Sequence, residues 1–203
     1  MGSGCTTLST KVLRCLVSTV LAVGICASCE AASLDPDAAD FVARLNKAVT
    51  LLAGKSGKAA YSSCQSYVET LIDVDSIAER TAGPAWAKMT ADQRDAYRAA
   101  LEKRAVRNCV SENANNSGKP VGFLGMRESN GGRLLATLPH EQGNGPERTV
   151  VWRLPDAGTA LDIRAVDVLI DGRSTVLTLR DEARNLLEGN NGDINALIAG
   201  IGR

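Results

Sequence analysis

The chain has 203 residues, with 23 basic and 23 acidic side chains and a single histidine. That balance lacks the dense surplus of Lys and Arg by which proteins hold nucleic acid. One histidine, and no CxxC beyond Cys26–Cys29 in the apolar N-terminal stretch, leave no cluster in the rest of the chain from which a zinc site, a redox dithiol or a cofactor site would be built.

Lys11 and Arg14 precede the apolar run CLVSTVLAVGICA, after which small residues gather at ASCEAAS. A cationic start, an apolar run too short to span a bilayer comfortably, and small residues at Cys29 and Ala31 predict a secretory signal peptide over residues 1–31. Cleavage is expected after Ala31, which implies export. A retained anchor and lipoprotein processing at Cys29 are the alternatives; for the second, the usual aliphatic residue three positions before the cysteine is missing. Residues 32–203 then form one domain of 172 residues with 21 bases and 22 acids, enough chain for a sizeable core. Four of the six cysteines leave with the signal segment, and Cys64 and Cys109 remain. In an oxidising compartment that pair predicts one disulfide, closing a loop of about 45 residues and worth roughly 4 kcal/mol in the chain-entropy model. Two buried free thiols are the other reading.

The first half reads as helices. Asp35 can cap a helix whose first position is Pro36, and Phe41, Leu45, Val49 and Leu52 recur at helical spacing until Gly54 and Gly57. A second helix carries Tyr61, Cys64, Val68, Leu71 and Ile72 on one stripe. The short segment DSIAERTAG ends at Gly83-Pro84. Thr90 and Gln93 form a capping box that starts a long helix to about Asn113, with Tyr97, Leu101, Ala105 and Cys109 facing one way. Both remaining cysteines thus fall on inward stripes of separate helices.

After NANNSGK the period changes to two. PVGFLGMRES, RLLATLPHE and RTVVWRLPD read as strands separated by Gly, Asn and Pro turns. In a fourth strand Leu161, Ile163 and Ala165 alternate, and then Val166, Val168 and Ile170 take over, which predicts a bulge near Ala165–Val166. Asp162, Asp167 and Asp171 alternate with these aliphatics, so they are expected on the solvated side of a half-buried strand rather than in an acid–base site. Two helices, roughly 178–188 and 193–201, end the chain, with Gly189 as the expected C′ residue of the first. Helices, then an antiparallel sheet, then helices make an α+β layout.

Catalytic constellations are sparse. His140 stands beside Pro139 with no GxSxG serine, and GKSGK at 54–58 lacks the spacing of a phosphate loop. Apolar stripes and the aromatics Trp86, Tyr97, Phe123 and Trp152 remain.

Two motifs in their order resemble the periplasmic phospholipid-binding proteins of the MlaC type, also called toluene-tolerance auxiliary proteins, with their hopanoid-associated branch. In GPAWAKMTADQRDAYRAAL, the residues Trp86, Thr90, Gln93, Arg94 and Tyr97 follow the family's W-x3-T-x2-Q-R-x2-[FY] pattern. In DVLIDGRSTVLTLRDEARNLL, the residues Asp167, Val168, Ile170, Gly172, Ser174 and Arg180 are similar to its D-V-x-[VIL]-x-G-x-S strand and following helix. The ending GDINALIAGI resembles its last helix, and the likeness covers about residues 34–201. The chain departs from the pattern at Ile163, where the family commonly has tryptophan, at Arg173, where it has an aliphatic, and in AVRNCVSENANN.

The resemblance implies an NTF2-like fold in which N-terminal helices pack on a curved, four-stranded antiparallel sheet closed by C-terminal helices. It implies an apolar cavity for the acyl chains of a phospholipid or hopanoid-type lipid. It further implies a non-catalytic carrier shuttling lipid between an inner-membrane ABC transport complex and an outer-membrane lipoprotein complex. Enclosure makes physical sense, since each exposed CH₂ costs about 0.8 kcal/mol. Expected lining or core residues are Trp86, Tyr97, Leu101, Val150, Trp152, Val166, Val168 and Ile170, while Asp167 and Gly172 are assigned to strand-end geometry. Two rivals stand beside this reading: an enzyme on the same fold, with an aspartate near Tyr97 or Tyr67, and an interaction domain with a filled core.

Overall fold

The structure is a computed structural model that describes residues 35–113, 118–138, 149–156 and 162–203. Residues 1–34, His140 and Leu161 lie outside them, and with them the expected signal segment.

Four helices open the described chain. In α1 (Pro36–Leu52) the Asp35 carboxylate accepts from Ala38 N at 2.9 Å, and Pro36 occupies the first turn, where its missing donor costs nothing. Ala38, Phe41, Leu45 and Leu52 form its buried stripe. In α2 (Gly57–Leu71) the buried stripe is Ala60, Cys64, Val68 and Leu71. Asp73 caps α3 (Val74–Ala82), and a 3-10 turn over Gly83–Lys88 carries Trp86. The box at the start of α4 (Ala91–Asn113) is reciprocal: Thr90 N donates to Gln93 Oε1 at 3.1 Å and Gln93 N donates to Thr90 Oγ1 at 3.2 Å. Cys64 and Cys109 are joined by a disulfide across α2 and α4, with a Cα–Cα distance of 5.7 Å.

The sheet is an antiparallel meander of β1 (Gly122–Ser129), β2 (Gly132–Leu138), β3 (Val150–Leu154), β4 (Asp167–Ile170) and β5 (Arg173–Ser174) in that order. Five strands, against the four expected, follow from the turn at Asp171 (φ 50°) and Gly172 (φ 78°), whose left-handed pair suits a tight hairpin and adds the two-residue β5. Gly132 is required where β2 meets β3, because a Cβ there would stand 2.0 Å from Leu154 O.

The slipping fourth strand does not form as expected. Ala165 makes an isolated parallel bridge to Ile72, with Ala165 N donating to Leu71 O at 2.7 Å and Asp73 N donating to Ala165 O at 2.9 Å. This segment therefore bonds to the end of α2, and β4 starts only at Asp167. The register shift sits in β1 instead, between Phe123 and Gly125.

Ser174 caps α5 (Thr175–Gly189), which begins three residues before the expected start, and Gly189 is its last helical residue rather than the residue beyond it. Asn191 and Gly192 supply the left-handed turn before α6 (Ile194–Ile201). α5 packs on α3, α6 packs on α4 and α5, and α5 also meets β4 and β5.

Three apolar clusters result. The first joins α3, α4, α5 and α6 around Tyr97 and Leu197. The second lies between α1 and one face of the sheet, built on Phe41, Leu45, Leu135, Trp152 and Leu154. The third surrounds the disulfide with Leu52, Val68 and Val106.

Candidate functional site

The eight residues expected to line a cavity separate into two regions. Trp86, Tyr97 and Leu101 belong to the all-helical cluster, whereas Val150, Trp152 and Val168 belong to the layer between α1 and the sheet. Val166 is buried where the chain turns into β4, and Ile170 is 44% exposed. The physical reason is the alternation of β3 and β4: Trp152 stands opposite Val168 and faces α1, not α4.

The α1–sheet layer is apolar in the middle and tied at several heights by polar contacts. Phe41 tilts against Trp152 with ring centroids 5.4 Å apart, and Trp152 Nε1 donates to Thr137 Oγ1 at 3.0 Å, so the indole is satisfied within the layer. At the start of α1, the Arg133 guanidinium is only 1% exposed; it donates to Asp35 Oδ2 at 2.6 Å and to Pro155 O at 3.0 Å, with Asp37 Oδ2 3.6 Å away. Further along, Arg44 donates to Asp40 at 2.7 Å, to Thr70 O at 2.8 Å and to Ile163 O at 2.5 Å. Near its end, Val121 N donates to Asn46 Oδ1 at 2.7 Å. Around the layer's buried residues stand partly exposed apolar ones, among them Val42, Val49, Phe123, Met126, Val150 and Val168.

Of the three strand aspartates, Asp162 and Asp171 are exposed, as expected. Asp167 is a correction: it is 5% exposed rather than solvated. Its Oδ2 accepts from Ser174 Oγ at 2.6 Å and its Oδ1 from Val176 N at 3.1 Å, so the carboxylate secures the start of α5. This fits the strand-end role assigned to it, and Gly172 lies in the intervening turn.

Of the two tyrosines named in the enzyme reading, Tyr97 is fully buried and Tyr67 partly so. Burial raises the Tyr97 hydroxyl, which shares a hydrogen bond with Thr81 Oγ1 at 3.1 Å; that bond and Arg104 oppose the shift while the Glu182 charge adds to it. Burial alone pushes Tyr67 well above the ordinary tyrosine value of 10.0. Both carboxylate oxygens of Asp167 are occupied by the α5 contacts.

Two shallow depressions lie on the helical side, of about 200 and 220 Å³, below the roughly 300–1,000 Å³ of ordinary small-molecule pockets. The first is lined by Val68, Glu69, Ile72, Val74, Asp75, Arg98, Glu102 and Arg164. The second is bounded by Tyr61, Gln65, Ala99, Glu102, Lys103 and Val106. None of the eight expected lining residues borders either one. Sequence reasoning passed over Arg44, Glu102, Arg133 and Arg164; Arg133 alone carried a signal, a charged residue in phase with Leu135 and Thr137 on a strand. Trp86 is flanked by the guanidinium groups of Arg94 and Arg98, 5.3 and 5.4 Å from its ring. Among the described residues no group of three or more His, Cys, Asp or Glu side chains is placed to hold a metal, and no helix is long and apolar enough to cross a membrane.

Among curated proteins, none matches the sequence. Among solved structures, the fold matches a phospholipid-binding protein from Ralstonia solanacearum, determined in complex with a phospholipid, at a TM-score of 0.66 and 14% identity. The match covers 81% of this chain and 94% of the other. The family model described as MlaC protein matches residues 39–202, which takes in every described element except the first turn of α1 and its cap. By that match, the chain belongs to the MlaC protein family.

Proposed function

We propose that this protein is an exported, non-catalytic phospholipid carrier, and that the acyl chains enter the layer between α1 and the inner face of the sheet. Family membership and a fold shared with a protein solved with phospholipid support the lipid class. The observation that carries the placement is the apolar middle of the layer: Ala38, Phe41, Leu45, Leu71, Leu135, Trp152, Leu154, Ile163 and Ala165 are buried together, and a rim of partly exposed apolar side chains surrounds them. The buried Thr137 hydroxyl is bonded to Trp152, and the buried Arg133 is bonded at the start of α1. Two chains need far more room than the depressions of about 200 Å³ provide. Admission therefore requires α1 and the sheet to part, with lipid methylenes replacing the side-chain contacts that are lost. The sheet is open, not a closed barrel, so such parting breaks no strand pairing.

In this reading residues 1–31 direct export and are removed after Ala31. The carrier works between an inner-membrane ABC lipid-transport complex and an outer-membrane lipoprotein complex, on a cone-like NTF2 type of scaffold. Val150, Trp152, Val168 and Ile170 line the chain site, with Val166 at its margin; Trp86, Tyr97 and Leu101 support the helical side.

The two tryptophans separate the two regions experimentally. Phospholipid with brominated acyl chains is expected to quench Trp152 in a Trp86→Phe variant, and to leave Trp86 bright in a Trp152→Phe variant. Quenching of Trp86 alone would move the chains into the helical cluster. A protein that carries no lipid on gentle purification and accepts none from vesicles would end the carrier reading.

A further inference from the structure

The crevice lined by Glu69, Asp75, Arg98, Glu102 and Arg164 has a floor of Val68, Ile72 and Val74. Ile72 touches all three apolar clusters, so this is where the interior regions converge beneath a charged rim. Most of the rim is already committed. Arg98 Nε lies 2.8 Å from Asp75 Oδ1, its guanidinium also contacts Asp95, and its position is fixed over Trp86. Glu69 accepts from Gln65 Nε2 at 3.0 Å.

Arg164 and Glu102 differ. Both are partly buried, both border the crevice, and neither side chain makes a hydrogen bond or ion pair among the described residues, with each other included. A half-buried cation and anion left apart on one cleft form an electrostatic mould for a ligand that carries both charges at a fixed separation. The neighbouring Asp75–Arg98 pair is internally neutralised, and Glu69 adds a further negative charge to the rim, which favours the ammonium end of such a ligand over a second anion.

We propose that this crevice is a head-group subsite for a zwitterionic phospholipid of the phosphoethanolamine class. Arg164 holds the phosphodiester and Glu102 the primary ammonium, while the glycerol end passes over Ile72 toward the apolar layer. The inference rests on the carrier reading and deepens it by naming the lipid class that the protein selects.

The test incubates the purified protein with vesicles holding equal amounts of phosphatidylethanolamine and phosphatidylglycerol with identical acyl chains, then measures both lipids on the re-isolated protein by mass spectrometry. The wild type is expected to enrich the ethanolamine lipid about tenfold, the scale of one charge-assisted hydrogen bond. Glu102→Gln should bring the ratio close to one, and Glu102→Lys should turn it toward the glycerol lipid. Arg184→Gln, on an exposed face of α5, should keep the wild-type ratio. Should Glu102→Lys fail to fold, the nearly isosteric Glu102→Gln decides. Lipid bound at a ratio of one by the wild type, or an unchanged ratio in Glu102→Gln, overturns the subsite and leaves the carrier reading standing. No lipid bound at all overturns both. Soluble glycerophosphoethanolamine is expected to compete only weakly; if it displaces lipid at equal concentration, the crevice serves a soluble zwitterion and the lipid assignment fails.

Discussion

Asp167 gives one carboxylate oxygen to a serine hydroxyl and the other to a backbone amide in the first turn of α5. Removing both acceptors leaves a buried donor without a partner, which costs about 1–3 kcal/mol. Asp167→Ala is therefore expected to lower stability in urea unfolding by that amount, and Asp167→Asn, which keeps one acceptor, by less; an alanine variant as stable as the wild type would refute the capping role. The alternation of the sequence placed Asp167 away from the inner aliphatics, and that much was legible. That a helix starting eight residues further on would cover that side was not, since the Asp171–Gly172 turn must first fold the chain back. Asp35 shows the same dependence on tertiary partners. Burial on its own would raise its pKa, yet the Arg133 hydrogen bond, the Ala38 amide and the Arg133 charge together hold it below the usual 3.8. Its folded pKa is depressed, so its contribution to stability is present above that usual value and lost as pH falls through the lowered one. Asp35→Asn should consequently flatten the acid limb of a stability–pH curve and reduce stability at neutral pH; an unchanged acid limb would remove the Arg133 contact from the account.

At the scale of elements, the helices were the readable part because their signals are local. The Asp35–Pro36 entry and the Thr90–Gln93 box need only neighbours within one turn, and both appear as the spacing predicts. The cysteine stripes were readable only in part. Cys64, Val68 and Leu71 are buried in α2, but Tyr61 is 45% exposed and Ile72 lies beyond the helix end. In α4, Tyr97 and Leu101 are buried while Val106, not Ala105, completes the inner face. β4 was misjudged because its would-be first half bonds to α2: Ala165 satisfies Leu71 and Asp73, residues distant in sequence and invisible to any alternation count. The disulfide closes a separation of 45 residues between α2 and α4. Replacing both Cys64 and Cys109 with alanine should cost about 2–4 kcal/mol, chiefly by freeing the unfolded chain. The protein should nonetheless fold, because Leu52, Val68 and Val106 still pack around the site. Complete loss of cooperative unfolding in the double variant would mean that the apolar contacts between α2 and α4 are insufficient without the bond.

For the whole molecule, the order of the motifs conveyed the family, but not which residues share one interior. Trp86 and Trp152 look equivalent in a sequence, both aromatic and both near aliphatics, yet one lies in a helical cluster and the other beneath α1. The layer beneath α1 has to open for chains to enter, and α1 is held by discrete polar ties rather than by strand pairing. Arg44 is a partly exposed tie that spans elements: its side chain is 21% accessible, and it reaches both α2 and the segment before β4. Arg44→Ala removes donors to two carbonyl oxygens and should destabilise the fold by about 1–2 kcal/mol, the usual scale of charge-assisted bonds at a partly wet site. If α1 is the moving wall, the same substitution should also speed the uptake of brominated lipid from vesicles severalfold, because the ties broken are those that opening must break. Trp152 quenching in stopped flow reads the uptake directly. A substitution at a comparable cost away from this layer, such as Asp167→Asn at the start of α5, should leave the uptake rate nearly unchanged. Equal acceleration by both would show that uptake follows global loosening, and that α1 has no privileged part in it.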